Sequence, residues 1–307
     1  MLHLIVPALG HPWPQPGYEP PRTPALDRLL ARADFVPGAA SYAETLFDLF
    51  QVPADCRATA PFCWLGLKGE PPLGWVMHAD PVHFHPDRDR LLLFTLAGDA
   101  VSPGEAQEFV QAFNGHFSGE GMELHALAGQ HWFLLLEREP AARFTPLEQA
   151  VCRALEEAMP EGAEAARWRQ LMNEVQMLFF QLPVNQAREA RGELVVNGLW
   201  FAGPGRDATP VGCAPRLVSA SDDPLLRGLL RGAAEQDENE RLLPFPYLEE
   251  AIRQQDGTAL ATALQRLDTL VGELVRKEPE LRLHDCNGRS WHWKRRMRWR
   301  LWRQRPR

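Results

Sequence analysis

The stretch from Pro183 to Pro210, PVNQAREARGELVVNGLWFAGPGRDATP, constrains this chain more than any other. It joins a polar turn (Pro183-Val184-Asn185), a segment carrying Arg188 and Arg191, and an apolar strand over Val195–Phe201. The strand runs into Gly203-Pro204-Gly205-Arg206. A strand ending in Gly-x-Gly-Arg is where an α/β sheet can present backbone N–H groups and a guanidinium to an anion. Asn185, Arg188, Arg191, Asn197 and Arg206 are therefore the candidate anion-binding set, since Asn and Arg hold phosphate or carboxylate without a metal. The same residues also fit a second account, in which the asparagines cap turns and the arginines line a solvated helix face.

The chain of 307 residues is long enough for a sizeable core in one or two domains. The five cysteines are odd in number and widely spaced, with no C-x-x-C pair. This fits a reducing cytoplasm better than a disulfide scaffold or structural zinc. No apolar run has the length of a membrane span, and the first residues, MLHLIVP, lack the pattern of a signal peptide. The net charge of −7 is uneven. Nine Lys and Arg fall within 289–307 without an acid, leaving 24 bases against 40 acids, or −16, elsewhere. An acidic body is a poor general binder of nucleic acid. In the C-terminal run tryptophans alternate with arginines, a pattern suited to stacking on bases, to an anionic membrane surface, or to docking on an acidic face of the chain itself or of a protein partner.

Along the chain, strands are expected at Leu2–Pro7, between Trp75 and Phe94, at Met122–Leu124, His131–Glu137 and Leu281–His284. Helix starts are read at Thr23-Pro24 and at three capping boxes opened by Ser41, Ser102 and Thr145. Arg167–Phe180, Tyr247–Gln255 and Thr258–Lys277 carry helical spacing, whereas 203–240, rich in Gly, Pro and Asp, is expected to be loop-dominated. Strands alternate with helices at both ends around a more antiparallel middle. This predicts an α/β core over 1–76 and 166–288, an inserted α+β domain over 77–165, and a basic tail over 289–307.

Several runs resemble the archaeal-type, cofactor-independent phosphoglycerate mutases of the alkaline phosphatase superfamily. These are Leu4-Ile5-Val6-Pro7-Ala8-Leu9-Gly10, Arg22-Thr23-Pro24-Ala25-Leu26-Asp27, Ala40-Ser41-Tyr42-Ala43, Met77-His78-Ala79-Asp80-Pro81-Val82-His83 and the Pro183–Gly205 run. The segments ADPVH, DRDRL, LMNEVQML and PVNQAREARGEL further resemble proteobacterial RpfE-type, phosphoglycerate-mutase-related proteins. The resemblance implies an alkaline-phosphatase-like core sheet flanked by helices, with Ser41 in the place of the nucleophile. It also implies two metal ions, Mn or Zn, that would activate that group. Ala8 stands where the family has a metal-binding Asp, Ala251–Asp256 replaces a His- and Asp-bearing motif, and Asp285-Cys286-Asn287 stands for its closing Asp-His. Asp256 and Asp285 are the remaining candidate ligands there.

A second ligand-type cluster is His83, His85, Asp87 and Asp89, which an extended chain would place on one face. It is read either as a transition-metal site or as a polar turn with half-exposed histidines. The leading expectation is thus a metal-free, catalytically degenerate cytoplasmic protein that binds a phosphorylated or anionic ligand or a protein partner. The alternatives are a mutase or phosphohydrolase using Ser41, and a nucleic-acid or membrane binder acting through 289–307.

Overall fold

In a computed structural model, the structure describes residues 1–10, 19–87, 90–96, 100–151, 155–208, 212–253 and 256–300. Two compact units share the chain: Met1–Arg57, Pro210–Asp222 and Ala233–Arg307 in the first, Ala58–Thr209 and Asp223–Gly232 in the second. Both are mixed α/β, with sheets flanked by helices. These boundaries differ from the expected insertion at 77–165. Among the described residues no helix is long and apolar enough to cross a membrane.

The first unit contains β1 (Leu2–Ile5), α1 (Pro24–Arg32), β2 (Asp34–Pro37) and α2 (Tyr42–Leu49). After the second unit it resumes with β8 (Cys213–Leu217), β9 (Glu235–Pro244), α10 (Tyr247–Arg253), α11 (Gly257–Lys277), β10 (Glu280–His284) and β11 (Arg289–Lys294). Among the described residues its six-stranded sheet runs β2-β11-β10-β1-β9-β8. β10, β1, β9 and β8 are parallel, and β11 is antiparallel to β10 and β2. Leu2, Leu4, Leu281 and Leu283 alternate onto one face, where they pack with Leu26, Leu29, Leu264, Leu267 and Val271 of α1 and α11.

Two expectations are corrected here. Residues 289–294 are not a tail: Trp291 and Trp293 reach the apolar core while Ser290 and His292 alternate to the other face. The period-two pattern of RSWHWK dominates over its basic composition. The 203–240 region is also not loop-dominated, since it holds β8, a helix and most of β9.

The second unit holds α3 (Thr59–Lys68), β3 (Trp75–Asp87), β4 (Arg90–Thr95), α4 (Pro103–His116), β5 (Met122–Ala128), β6 (His131–Leu136), α5 (Leu147–Ala150) and α6 (Leu155–Ala158). It continues with α7 (Ala165–Phe180), α8 (Pro183–Ala190), β7 (Gly198–Gly205) and α9 (Pro224–Gly232). β4-β3-β6-β5 form an antiparallel sheet, with β7 also pairing along β3. Its core gathers Phe109, Phe113, Trp132, Phe179 and Trp200. Ser102 and Glu105 form the expected capping box of α4. Thr145 does not cap α5; Pro146 takes that position, and the Thr145 carbonyl accepts the Trp200 indole N–H instead.

Candidate functional site

α8 begins where a polar turn is expected, and its inward face carries Asn185 and Arg188. The Asn185 amide donates to the Phe179 and Val196 carbonyls at 2.8 Å and accepts from the Val196 N–H at 2.9 Å. Arg188, only 1% exposed, donates to the Leu194 and Ala100 carbonyls and to Glu105. Arg191 pairs with Glu105 and Glu193. Asn197 exchanges two hydrogen bonds with the Phe84 backbone. Arg206 is exposed, and the eight residues of β7 separate it from Asn197 by roughly 25 Å.

The expected anion pocket is therefore not assembled. Its amides fasten α8 and α7 to the segment leading into β7, and its buried charge is met by glutamates. The glycines of the Gly-x-Gly-Arg turn serve packing instead. A Cβ on Gly203 would lie 2.3 Å from the Thr59 hydroxyl, and one on Gly205 2.4 Å from the Ala58 Cβ.

His83 and His85 do share one side of β3, their ring centroids 6.0 Å apart. The His83 Nδ1 is committed to the Val195 carbonyl at 2.9 Å. Asp87 ends the strand, and Asp89 lies outside the described residues. Asp256 caps α11, accepting from the Thr258 and Ala259 N–H groups. Ser41 caps α2, its Oγ accepting the Glu44 N–H at 3.1 Å. Glu44 pairs with Arg57 rather than closing the box.

The groups that resemble the family's site residues converge at the C-terminal edge of the first unit's parallel strands. This is where open α/β sheets bind ligands. There Val6–Gly10 leaves β1, Asp285–Gly288 links β10 to β11, and Gly38–Ser41 leads from β2 to α2. The Gly38 N–H bonds to the Gly288 carbonyl, and the Gly288 N–H to the Ala39 carbonyl.

Asp285, fully buried, accepts the Asn287 and Arg289 N–H groups on Oδ1 and the Arg289 Nε–H on Oδ2 at 2.7 Å. The Arg289 guanidinium passes so close to Gly10 that a Cβ there would stand 1.5 Å from Nη2. Ala8 and Cys286 hold left-handed backbone, φ 63° and 57°. Burial pushes the Cys286 thiol up to about 12, with a smaller opposing pull from a hydrogen bond with Thr45, so it stays protonated and a poor nucleophile.

Behind this edge, His3 Nδ1 lies 3.0 Å from His284 Nε2, and His3 Nε2 lies 2.9 Å from Glu240. Burial lowers both histidines, His284 to about 3, with His3 and Arg282 lowering it further. In the second unit, His78 Nε2 meets the Thr59 hydroxyl at 3.1 Å, and burial lowers it to about 4. Burial raises the nearby Asp80 carboxyl and Cys63 thiol. In the sequence His3 and His284 carry no signal and Arg289 counts only as part of the basic run; the pairing of β1 with β10 and of β10 with β11 is what places them here.

The residues present do not fit the two-metal centre that the resemblance implies. Ala8 offers no donor, the Asp285 carboxylate is satisfied by three protein N–H groups, and Ser41 Oγ is held by a helix N–H. Among the described residues no three His, Cys, Asp or Glu side chains gather to hold an ion.

No family model matches the chain. Over 155 residues, 50% of its length, it is 23% identical to a probable 2,3-bisphosphoglycerate-independent phosphoglycerate mutase of Geobacter sulfurreducens, and spans 37% of that protein. Among solved structures it is similar to the cofactor-independent phosphoglycerate mutase of Thermoplasma acidophilum DSM 1728, with a TM-score of 0.40, 14% identity, and 95% and 89% of the two chains covered. A Pyrococcus horikoshii protein gives 0.47 at 14% identity, covering 94% and 84%. The sequence match makes the chain a distant, phosphoglycerate-mutase-like relative.

Proposed function

We propose that this chain is a catalytically degenerate, metal-independent relative of the phosphoglycerate mutases that acts by binding, as a regulatory or carrier protein, rather than by transferring phosphoryl groups. One observation carries the reading: the buried Asp285 carboxylate is bound by Arg289 and two backbone N–H groups, so a cation could reach it only by displacing that guanidinium. Such a displacement would leave a positive side chain against the incoming dication, a like-charge contact that opposes binding. Ser41 lacks the setting a nucleophile needs, because among the described residues no base bonds to its hydroxyl, whose oxygen accepts from an N–H of its own helix.

The test is elemental analysis of purified protein before and after incubation with Mn²⁺ and Zn²⁺, alongside an assay with 3-phosphoglycerate. Less than a stoichiometric amount of either metal and no turnover are expected. Two tightly held ions per chain, with a turnover abolished by Ser41→Ala, would overturn the proposal.

A further inference from the structure

One edge of the first unit's sheet carries exposed rings and unpaired positive charge together. Among the described residues β2 is the edge strand. Its Phe35 is 59% exposed and meets Trp291 of β11 edge to face, with centroids 6.2 Å apart. After β11 the chain forms a short 3-10 helix, Arg295–Trp299, whose one buried side chain is Met297. Arg295, Arg296 and Arg298 are exposed there, and among the described residues none of the three side chains bonds to an acid. In a chain with 40 acids and 33 bases, three such guanidiniums on one turn reverse the local charge. Trp299 closes the turn at 66% exposure, with the Arg298 guanidinium over its ring, 4.8 Å from the centroid.

The second observation is that this surface is held in place. The Arg295 N–H bonds to the Pro279 carbonyl, and Arg32 at the end of α1 donates to the Arg298 carbonyl at 2.8 Å. Arg300 donates to the Arg32 carbonyl at 3.1 Å and to the Asp34 carboxylate at 2.5 Å. Arg300 follows Trp299 and Asp34 precedes Phe35, so one ion pair ties the positions of the two exposed rings together. A surface ordered before it binds loses less entropy on binding.

Exposed rings beside unpaired guanidiniums call for a ligand with flat faces joined by negative charge. An acidic peptide supplies the charge without the faces. An anionic lipid surface supplies the charge as a plane, which would also bring the acids of the surrounding body against it. A single nucleic-acid strand supplies both within a narrow thread, since its bases stack on aromatic rings while its phosphates meet arginines.

We propose that the β2 edge and the Arg295–Trp299 turn bind a single strand of nucleic acid, with bases stacked on Trp299 and Phe35 and phosphates against Arg295, Arg296 and Arg298. Stacking of this kind is tolerant of sequence, because every base has a flat face. The surface uses neither Asp285 nor a metal, so it stands or falls independently of whether the chain transfers phosphoryl groups.

The probe is a fluorescently labelled oligothymidylate of about ten nucleotides, read by anisotropy with the full chain. Saturable binding at low salt is expected, with log affinity falling linearly against log salt. Trp299→Ala should weaken it by roughly tenfold. Arg295→Gln, Arg296→Gln and Arg298→Gln together should weaken it as well and flatten the salt slope by about 2. All four positions are exposed, so the urea midpoint should not move in either variant. No saturable binding, affinity indifferent to either variant, inorganic polyphosphate competing as well as the oligonucleotide, or flotation with phosphatidylserine vesicles in place of oligonucleotide binding would each overturn the proposal.

Discussion

His3 and His284 face each other across β1 and β10, with Arg282 on the same face and Glu240 bonded to His3. Both rings are held neutral, because burial and neighbouring positive charge depress them below the ordinary value near 6.5. The unfolded chain then binds more protons than the folded one between about pH 6.5 and 3, so stability is present above that window and lost as pH falls through it. For His284 alone the loss between pH 7 and 5 is about 2 kcal/mol. The carboxylates lowered by their arginine, histidine and N–H partners, Glu105, Glu164 and Glu280, lose their contribution only below about pH 4.5, so the fall between pH 7 and 5 does not come from them. Urea titrations at pH 7 and 5 should show that His284→Gln shrinks the fall by about this amount. An unchanged fall would mean that the pair is not buried neutral. None of this was legible in the sequence, where His3 and His284 lie 281 residues apart and only the parallel register joins them.

At the scale of elements, α3 and α9 meet at two glycines. A Cβ on Gly66 would stand 2.0 Å from the Pro224 carbonyl oxygen, and one on Gly228 1.8 Å from that of Phe62. Arg231 reaches the Leu65 and Gly66 carbonyls at the end of α3, where the terminal acceptors need donors. Replacing a glycine inside a helix by alanine ordinarily stabilises by about 1 kcal/mol. Here the sign reverses, because backbone, not a flexible side chain, fills the space. Gly228→Ala should cost about 3 kcal/mol, read as a drop in the urea midpoint; a neutral or stabilised variant would show that the helices do not meet so closely. The sequence did reveal the elements with strong periodicity or complete caps: α1, α4, α7, α11 and β10 lie close to where spacing puts them. It misled where composition was read in place of pattern. Pro183-Val184-Asn185 looks like a turn but opens α8, since proline suits the first helical position. Arg289–Lys294 looks like a tail but is a strand between β10 and β2, so removing it would take out a strand with neighbours on both sides.

For the molecule as a whole, the chain leaves the first unit after Arg57, returns at Pro210, departs again for α9 alone, and comes back at Ala233. The insertion expected at 77–165 missed this path because 203–240 reads as loop. In fact the run PLLRGLLRG within it folds as a helix, with Leu225, Leu226 and Leu229 buried. Ten residues thus complete a core that the preceding segment cannot close. α3 is buried on nearly every side, from Ala60 through Gly66, and α9 covers part of it. At about 25 cal/mol per Å² of apolar surface, three leucines and the matching face of α3 amount to several kcal/mol, comparable to the whole stability of a typical domain. A protein of residues 58–209 should therefore lack a cooperative thermal transition and bind an apolar dye. The same protein carrying residues 223–232 on a flexible linker should melt cooperatively and bind none. If 58–209 alone melts sharply, α9 is an accessory of that unit and not part of its core.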